Sequence, residues 1–438
     1  MDAELFYPAV TYPPLGKLPA QAQDDLLPAS GRLNEGGAAA YFHVPFCRSR
    51  CTFCHWVVRT GAGDDEKLRY LEAMEREMVL HKRRLGVDRI PVRSVLVGGG
   101  TPTLLSPALL DRFLASIHRH FDLSGCRQFS YEPEPRTVLG EDGDECLRIL
   151  REHGVQRLSM GVQSFDDAVL KRLGRTHSAA EARKAITRIL ESGFGSVSID
   201  LIYGLPGQTM ESWADTMLQA IASGAHAWQL YRLRVLPHGD LPGRIVEDYR
   251  REPSRFPEVD DVLLLKTIGI ELSRSHGFDE HYTRIFARSP EHISYYLHDV
   301  NVRLADVVGV GVSSWSNDGR VFLNNTPDLD QYHGWVDAGR IPYNRGLLRT
   351  EDDEMRRSLI LPLKNYRVDR KWFRERTGAD LDAVFGAPLQ RLKALGMVDE
   401  QDDGFSLTRR GRFCADEVAM LFYAPQYVPA RNLEVVKP

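Results

Sequence analysis

At 438 residues the chain can fold into one large domain with one or two smaller ones, and a formal charge of -4 with a pI near 6.4 supplies no global attraction for nucleic acid or an anionic membrane. With no run of eighteen apolar residues and no basic, apolar leader, a cytoplasmic protein acting on a small molecule is expected. Six cysteines, three of them within eight residues, suit a reducing compartment better than a disulfide scaffold.

Residues 1–38 are rich in Pro, Gly, Ala and Asp and read as an extended arm, with Tyr12-Pro13-Pro14-Leu15 as its one ordered-looking piece. From 39 to 236 a β-rich run, a polar or Gly-rich turn and a helical stretch recur. The predicted strands are 40–44, 94–97, 129–132, 157–162, 197–202 and 228–235. Between the first two lies a predicted helix over 65–84, where Leu68, Leu71, Met74 and Met78 recur at three- or four-residue spacing. Strands alternating with helices imply a parallel sheet with right-handed crossovers, and six repeats fall short of the eight of a closed barrel. The expected fold class is therefore α/β, an open partial (β/α)6 barrel.

In such folds chemistry lives at the carboxyl ends of strands. After the first strand, Cys47, Cys51 and Cys54 form a C-x3-C-x2-C loop able to wrap three thiolates around one centre. No second pair of cysteines offers a fourth ligand, as Cys126, Cys146 and Cys414 stand alone. A four-iron cube held by three thiolates leaves one iron open; a zinc site completed by His55 or His43, or three buried thiols, are the alternatives on these residues alone. Phe46, Phe53 and Trp56 can shield a cluster, and Arg48 and Arg50 add positive charge beside it.

After the second strand comes Gly98-Gly99-Gly100-Thr101, whose missing side chains let backbone approach a ligand. The third ends in Glu132, an acceptor for an amine or ribose, and the fourth places Gln163 at the rim. Arg175 and His177 follow in what reads as the end of a helix, where a cation complements the dipole. The fifth strand carries Asp200 in an apolar run, costly unless paired or ligand-bound. The sixth carries Arg232 and Arg234 on one face by period-two alternation.

Residues 237–256 are polar and read as a linker or lid, and a helix is expected over 258–276. Residues 351–424 read as helical with a short hairpin, resembling a winged helix; mixed charges there argue against DNA binding. The expected organisation is an arm (1–38), a partial barrel (39–236), a barrel-covering extension with the substrate region (237–350) and a C-terminal helical, winged-helix-like domain (351–438).

Taken together, the run 41–56, GGGTPT at 98–103, the Glu132 strand end, RLSMGVQSF at 157–165 and DLIYGLPGQT at 200–209 resemble the radical S-adenosylmethionine (SAM) superfamily, in the branch of oxygen-independent coproporphyrinogen III oxidase and its heme-chaperone relatives. The resemblance spans residues 41 to about 320. It implies a [4Fe-4S] cluster on Cys47, Cys51 and Cys54 whose open iron chelates SAM, reductive cleavage giving a 5'-deoxyadenosyl radical, and an electron donor of the flavodoxin or ferredoxin type. By the same likeness Tyr41, Gly99, Gly100 and Thr101 hold the methionine moiety, and Glu132, Gln163, Arg175 and Asp200 hold the amine, carboxylate or ribose. Phe286, Ser313, Ser314 and Trp315, in runs that fold back over the barrel mouth in the family, are then expected with Arg232 and Arg234 to face the substrate or a second SAM. A monomer is expected.

Two departures matter. The oxidases carry a further cysteine where this chain has Trp56, which argues against porphyrinogen decarboxylation, and the chaperones usually have Asp in place of His55. The expected function is therefore tailoring of a small natural product, foremost radical C-methylation with a second SAM. The alternatives are dehydration or oxidation of a sugar diol, a heme chaperone with His43, His55 or His281 as conceivable ligands, and a zinc protein without radical chemistry.

Overall fold

A computed structural model describes residues 11–20, 26, 33–34, 36–235 and 241–428. Twelve strands, β1 (Ala38–Val44), β2 (Ile90–Gly99), β3 (Gln128–Tyr131), β4 (Arg157–Gln163), β5 (Ser196–Tyr203), β6 (Ala227–Arg232), β7 (Asp279–Tyr282), β8 (Ile285–Ala287), β9 (Val307–Val310), β10 (Trp315–Asp318), β11 (Val321–Asn325) and β12 (Tyr343–Leu348), lie on one continuous path in the order β7-β8-β6-β5-β4-β3-β2-β1-β9-β10-β11-β12. From β6 to β1 every neighbouring pair is parallel, as the alternation of short apolar runs with helices predicted. The six predicted strands are thus the six central ones, and the chain folds as an open α/β partial barrel.

β1 reads Ala-Ala-Ala-Tyr-Phe-His-Val and is buried on both faces, which is why it shows no polar alternation. Helix Asp64–Leu85 has acids in its first turn, bases in its last and Gly86 in left-handed conformation just beyond, so both ends suit the macrodipole. Its Tyr70, Leu71, Met74 and Met78 are buried in the same core as β1 and β2. Capping boxes at Ser178/Glu181 and Thr209/Ser212 start the helices that follow β4 and β5.

Within residues 241–350, several segments join the sheet. β8 pairs antiparallel with β6, β9 pairs parallel with β1, and β10–β12 continue as antiparallel strands, so these segments extend the sheet at both edges. Short apolar runs such as Val307–Val310 carry no signal separating an edge strand from a covering loop. Helix Tyr295–Asn301 instead closes the amino end of the barrel: Gln128 accepts from the Tyr295 amide at 2.9 Å and donates to the Ile293 carbonyl at 3.0 Å.

The C-terminal unit contains helices Glu351–Lys364, Arg370–Thr377 and Leu381–Ala394 and a three-stranded antiparallel sheet in the order Arg367–Asp369, Gly404–Leu407, Val398–Gln401, the winged-helix pattern read from the sequence. Its core includes Leu359, Leu363, Phe373, Phe385 and Phe405, and Tyr12 of the arm is buried within it. The arm is therefore fastened to this unit, with the Tyr12 hydroxyl accepting from the Ala424 amide at 3.2 Å.

Candidate functional site

The register of the central strands brings the flagged strand ends to one rim. His43 lies opposite Gly98 and Val44 opposite Gly99, so the cysteine loop after β1 and the glycines after β2 leave the sheet side by side. The Gly100 amide donates to the Val44 carbonyl at 2.7 Å and the Thr101 amide to the Phe46 carbonyl at 2.7 Å, tying the two turns together. A Cβ on Gly100 would lie 2.7 Å from the backbone at 45–46, and one on Gly98 would lie 2.4 Å from Glu132 Oε2, so both positions require the missing side chain.

Cys47, Cys51 and Cys54 are partly buried, free thiols. Burial above all pushes Cys47 up to about 12, against the Thr101 hydrogen bond, and the other two cysteines push it the same way, so the three sulfurs sense one another. Burial likewise raises Cys54. Arg175 Nη1 donates to Cys51 Sγ at 3.3 Å and Nη2 to the Gly161 carbonyl at 2.6 Å, and Thr101 Oγ1 donates to Cys47 Sγ at 3.7 Å. Arg175 thus joins the end of β4 to the cysteine loop. Buried thiols held by donors are poised to be stabilised as thiolates by a bound cationic centre.

The donor set fits a cluster better than a zinc ion. One zinc gathers its sulfurs to about 2.3 Å from a common point, whereas each thiolate on a cube binds its own iron. Of the two histidines offered for a zinc site, His55 is engaged at both ring nitrogens and His43 at one. His55 Nδ1 accepts from the Gly243 amide at 2.8 Å while Nε2 donates to the Arg234 carbonyl at 3.2 Å, and burial lowers the pKa of the ring. His43 is buried with Nδ1 hydrogen-bonded to the Tyr41 hydroxyl at 3.0 Å, and burial lowers it to about 4.

Through His55, residues 241–246 form a strap across the outside of the cysteine loop. The Ile245 amide donates to the Thr52 carbonyl at 2.9 Å and the Leu241 amide to the His55 carbonyl at 3.0 Å. Arg50 donates to both the Cys54 carbonyl at 3.1 Å and the Pro242 carbonyl at 3.2 Å. A Cβ on Gly243 would lie 2.8 Å from the Thr52 carbonyl oxygen, so the close approach depends on that glycine. Part of the predicted lid is therefore this strap; residues 236–240 lie outside the described residues.

Inside the barrel, Glu132 and Asp200 are enclosed. Burial first, then the neighbouring Asp200, raises Glu132 to about 8, while Arg157 opposes the shift. Burial raises Asp200 to about 6, against Arg157 and the Ser159 hydroxyl, which donates to Asp200 at 3.5 Å. Tyr41 stacks obliquely on Tyr296 with ring centroids 6.2 Å apart, and Glu132 acts electrostatically on Tyr296. Gln163 has φ of +70° where β4 shifts register against β5, an uncommon conformation for a residue other than glycine and one that often marks a functional rim.

Arg157 was missed by sequence reasoning. It is 1 % exposed at the start of β4, it donates to Ser159 Oγ at 3.4 Å, and its charge acts on both Glu132 and Asp200. Burial pulls its own pKa down. Gln229 and Tyr231, also unflagged as lumen residues, join the same face of β6, with the Tyr231 hydroxyl donating to Gln229 at 2.7 Å. The signal was available: period-two alternation through Arg157, Ser159, Gly161 and Gln163 puts a cation on the face that carries the rim amide.

The residues expected to face the substrate or a second SAM lie as follows. Phe286 is buried in the main core, paired across the strands with Trp228, which packs on Phe278 and donates to Ser273 on the helix side of the sheet, away from the lumen. Ser314 is fully buried in a structural network, donating to the Gly311 carbonyl at 2.8 Å and accepting from Asn325 at 3.0 Å, and the Ser313 carbonyl accepts from Asn324 at 3.1 Å. Trp315 packs edge to face on Phe322. Arg232 lies opposite Tyr203, on the helix face, and both Arg232 and Arg234 act electrostatically on the Asp416–Glu417 end of the C-terminal unit. There they join Arg284, Lys266 and Lys364, the last paired to Asp416 at 3.3 Å and lowered by burial to about 8.

Residues 41–220 match the family model of the Radical SAM superfamily, and residues 350–414 match that of the HemN C-terminal domain. The chain is 28% identical over 404 residues to oxygen-independent coproporphyrinogen III oxidase of Helicobacter pylori, covering 88% of this chain and 85% of that one. It is 27% identical over 389 residues to the heme chaperone HemW of Bacillus subtilis, covering 87% of this chain and 97% of that one. Among solved structures, coproporphyrinogen III oxidase (HemN) from Escherichia coli, a radical SAM enzyme, superposes with a TM-score of 0.81 over 95% of this chain and 96% of that one at 27% identity.

Proposed function

Since the chain belongs to the radical S-adenosylmethionine superfamily, in the branch of HemN and HemW, we propose that it is a heme-handling protein that binds a carboxylate-bearing tetrapyrrole over its cysteine loop. When bound, a [4Fe-4S] cluster supplies the electron that splits the sulfonium of SAM into methionine and a 5'-deoxyadenosyl radical. Cys47, Cys51 and Cys54 would hold that cluster. Tyr41, Gly99, Gly100, Thr101, Glu132, Gln163, Arg175 and Asp200 would bind and orient SAM along the rim.

The observation that carries the tetrapyrrole reading is the cationic set Arg232, Arg234, Arg284, Lys266 and Lys364 between the end of β6 and the C-terminal unit, against Asp416, Glu417 and Glu280. It adjoins the strap, because the Arg234 carbonyl receives His55 Nε2. Cations gathered at the end of β6, beside the strap on the cysteine loop, suit the propionates of a tetrapyrrole. The HemW match over nearly the whole of that relative supports the same reading. Radical C-methylation and sugar dehydration have weaker support: the relatives are named as oxidases and heme chaperones, and Phe286 and Ser314, expected to face a second SAM, are packed away from the lumen. Of the histidines considered as heme ligands, His43 and His281 keep Nε2 without a hydrogen bond, whereas His55 is engaged at both nitrogens.

The test is anaerobic: the reconstituted, reduced protein is titrated with hemin and with coproporphyrinogen, and 5'-deoxyadenosine is measured. A saturable Soret shift with hemin, weakened by Arg234→Ala with SAM binding unchanged, is expected. Methyl transfer from SAM to an organic substrate without heme binding would overturn the reading. A small-molecule substrate, a flavodoxin- or ferredoxin-type donor and a monomeric state belong to the same proposal.

A further inference from the structure

A second buried polar site lies away from the barrel lumen, where the arm, the β10–β11 hairpin and helix Glu351–Lys364 meet. A cavity there is lined by Thr11, Trp315, Asn317, Arg349, Arg357 and Leu361, among others, and at about 10 Å³ it has room for a single water-sized occupant. Among the described residues its wall carries two guanidinium groups and no carboxylate.

These polar groups are buried and incompletely satisfied. Arg357 is 4 % exposed; its Nη1 stands 3.7 Å from Glu354 and makes no hydrogen bond. Burial, reinforced by Arg349, lowers Arg357 to about 9 against the attraction of Glu354. Arg349 is 1 % exposed and shares Glu354 as its partner, donating also to the Gly319 carbonyl at 2.5 Å. Asn317 is 2 % exposed, and neither atom of its amide has a hydrogen-bond partner. Two adjacent buried cations that both draw on Glu354, with Asp306 also acting on Arg357, face this space beside an unpaired amide.

We propose that this cavity binds a small monovalent inorganic anion, of the size of chloride, held by Arg349, Arg357 and the amide of Asn317. The anion neutralises the repulsion between the two guanidinium groups, and the cavity's size excludes phosphate and organic carboxylates. Because Thr11 and Tyr12 line the same space, the ion rivets the arm to the C-terminal unit, a role independent of the cluster and of SAM.

Crystals of the wild-type protein grown in sodium bromide test this directly. An anomalous peak in the cavity is expected, together with a melting temperature several degrees higher in sodium chloride than in sodium gluconate at equal ionic strength, a difference that Asn317→Leu reduces and Arg357→Met removes. A water in the cavity with no anomalous signal, or a melting temperature indifferent to chloride, would overturn the proposal. The bromide measurement needs no variant, so a failure of Arg357→Met to fold leaves the test intact.

Discussion

Raising the pH through the titration of Glu132 is expected to tighten SAM binding. Glu132 is held near 8 by burial and by Asp200, so at pH 7 about a tenth of it is ionised and at pH 9 about nine tenths. A cationic sulfonium ligand favours the ionised form, so its affinity should rise about tenfold across that interval, roughly 1.4 kcal/mol. The same shift predicts the sign for the empty protein. The folded state holds a proton that an unfolded glutamate, titrating near the ordinary 4.5, releases, so stability falls as pH rises from about 4.5 to about 8. Isothermal titration under strict anaerobiosis, in two buffers of different ionisation enthalpy, reads both the dissociation constant and the proton released on binding. Glu132→Gln should abolish the pH dependence, and Arg157→Met should move it to higher pH by removing the cation that opposes the shift. A dissociation constant that stays flat between pH 6.5 and 9 with no proton release would refute the placing of Glu132 against the ligand.

Cys51→Ala should eliminate the broad charge-transfer absorbance of the reconstituted protein and reduce 5'-deoxyadenosine formation to background, measured by visible spectroscopy and chromatography. Gly98→Ala sets a methyl group 2.4 Å from Glu132 Oε2; overpacking of this kind costs about 1–3 kcal/mol and should weaken SAM binding beyond its effect on the melting temperature. Phe286→Ala should lower stability by about 3–5 kcal/mol in denaturant titration, as for a fully buried aromatic, while leaving the dissociation constant for SAM unchanged. His55→Ala leaves the Gly243 amide and the Arg234 carbonyl without their partner, a loss of about 1–3 kcal/mol, and should speed limited proteolysis within 241–251 before the core unfolds.

Local patterns made much of this protein legible before any coordinates. The cysteine loop, the glycines at 98–100 and the strand ends at Glu132, Gln163 and Asp200 are each contiguous in sequence, and alternation of apolar strands with amphipathic helices puts them all at one end of a parallel sheet. Tertiary structure decided what no local pattern encodes. Whether Phe286 or Ser314 faces a ligand depends on which edge of the sheet a three- or four-residue run joins, and such a run looks the same in either role. His55 meets Gly243 across 188 residues, and Tyr12 meets Ala424 across 412, so neither the strap nor the anchoring of the arm leaves a periodicity to read. Arg157 shows the boundary most clearly: its alternation with Gln163 is visible in the chain, but only the closing of β3, β4 and β5 around it sets one buried cation between two buried acids and thereby adjusts the charge they carry.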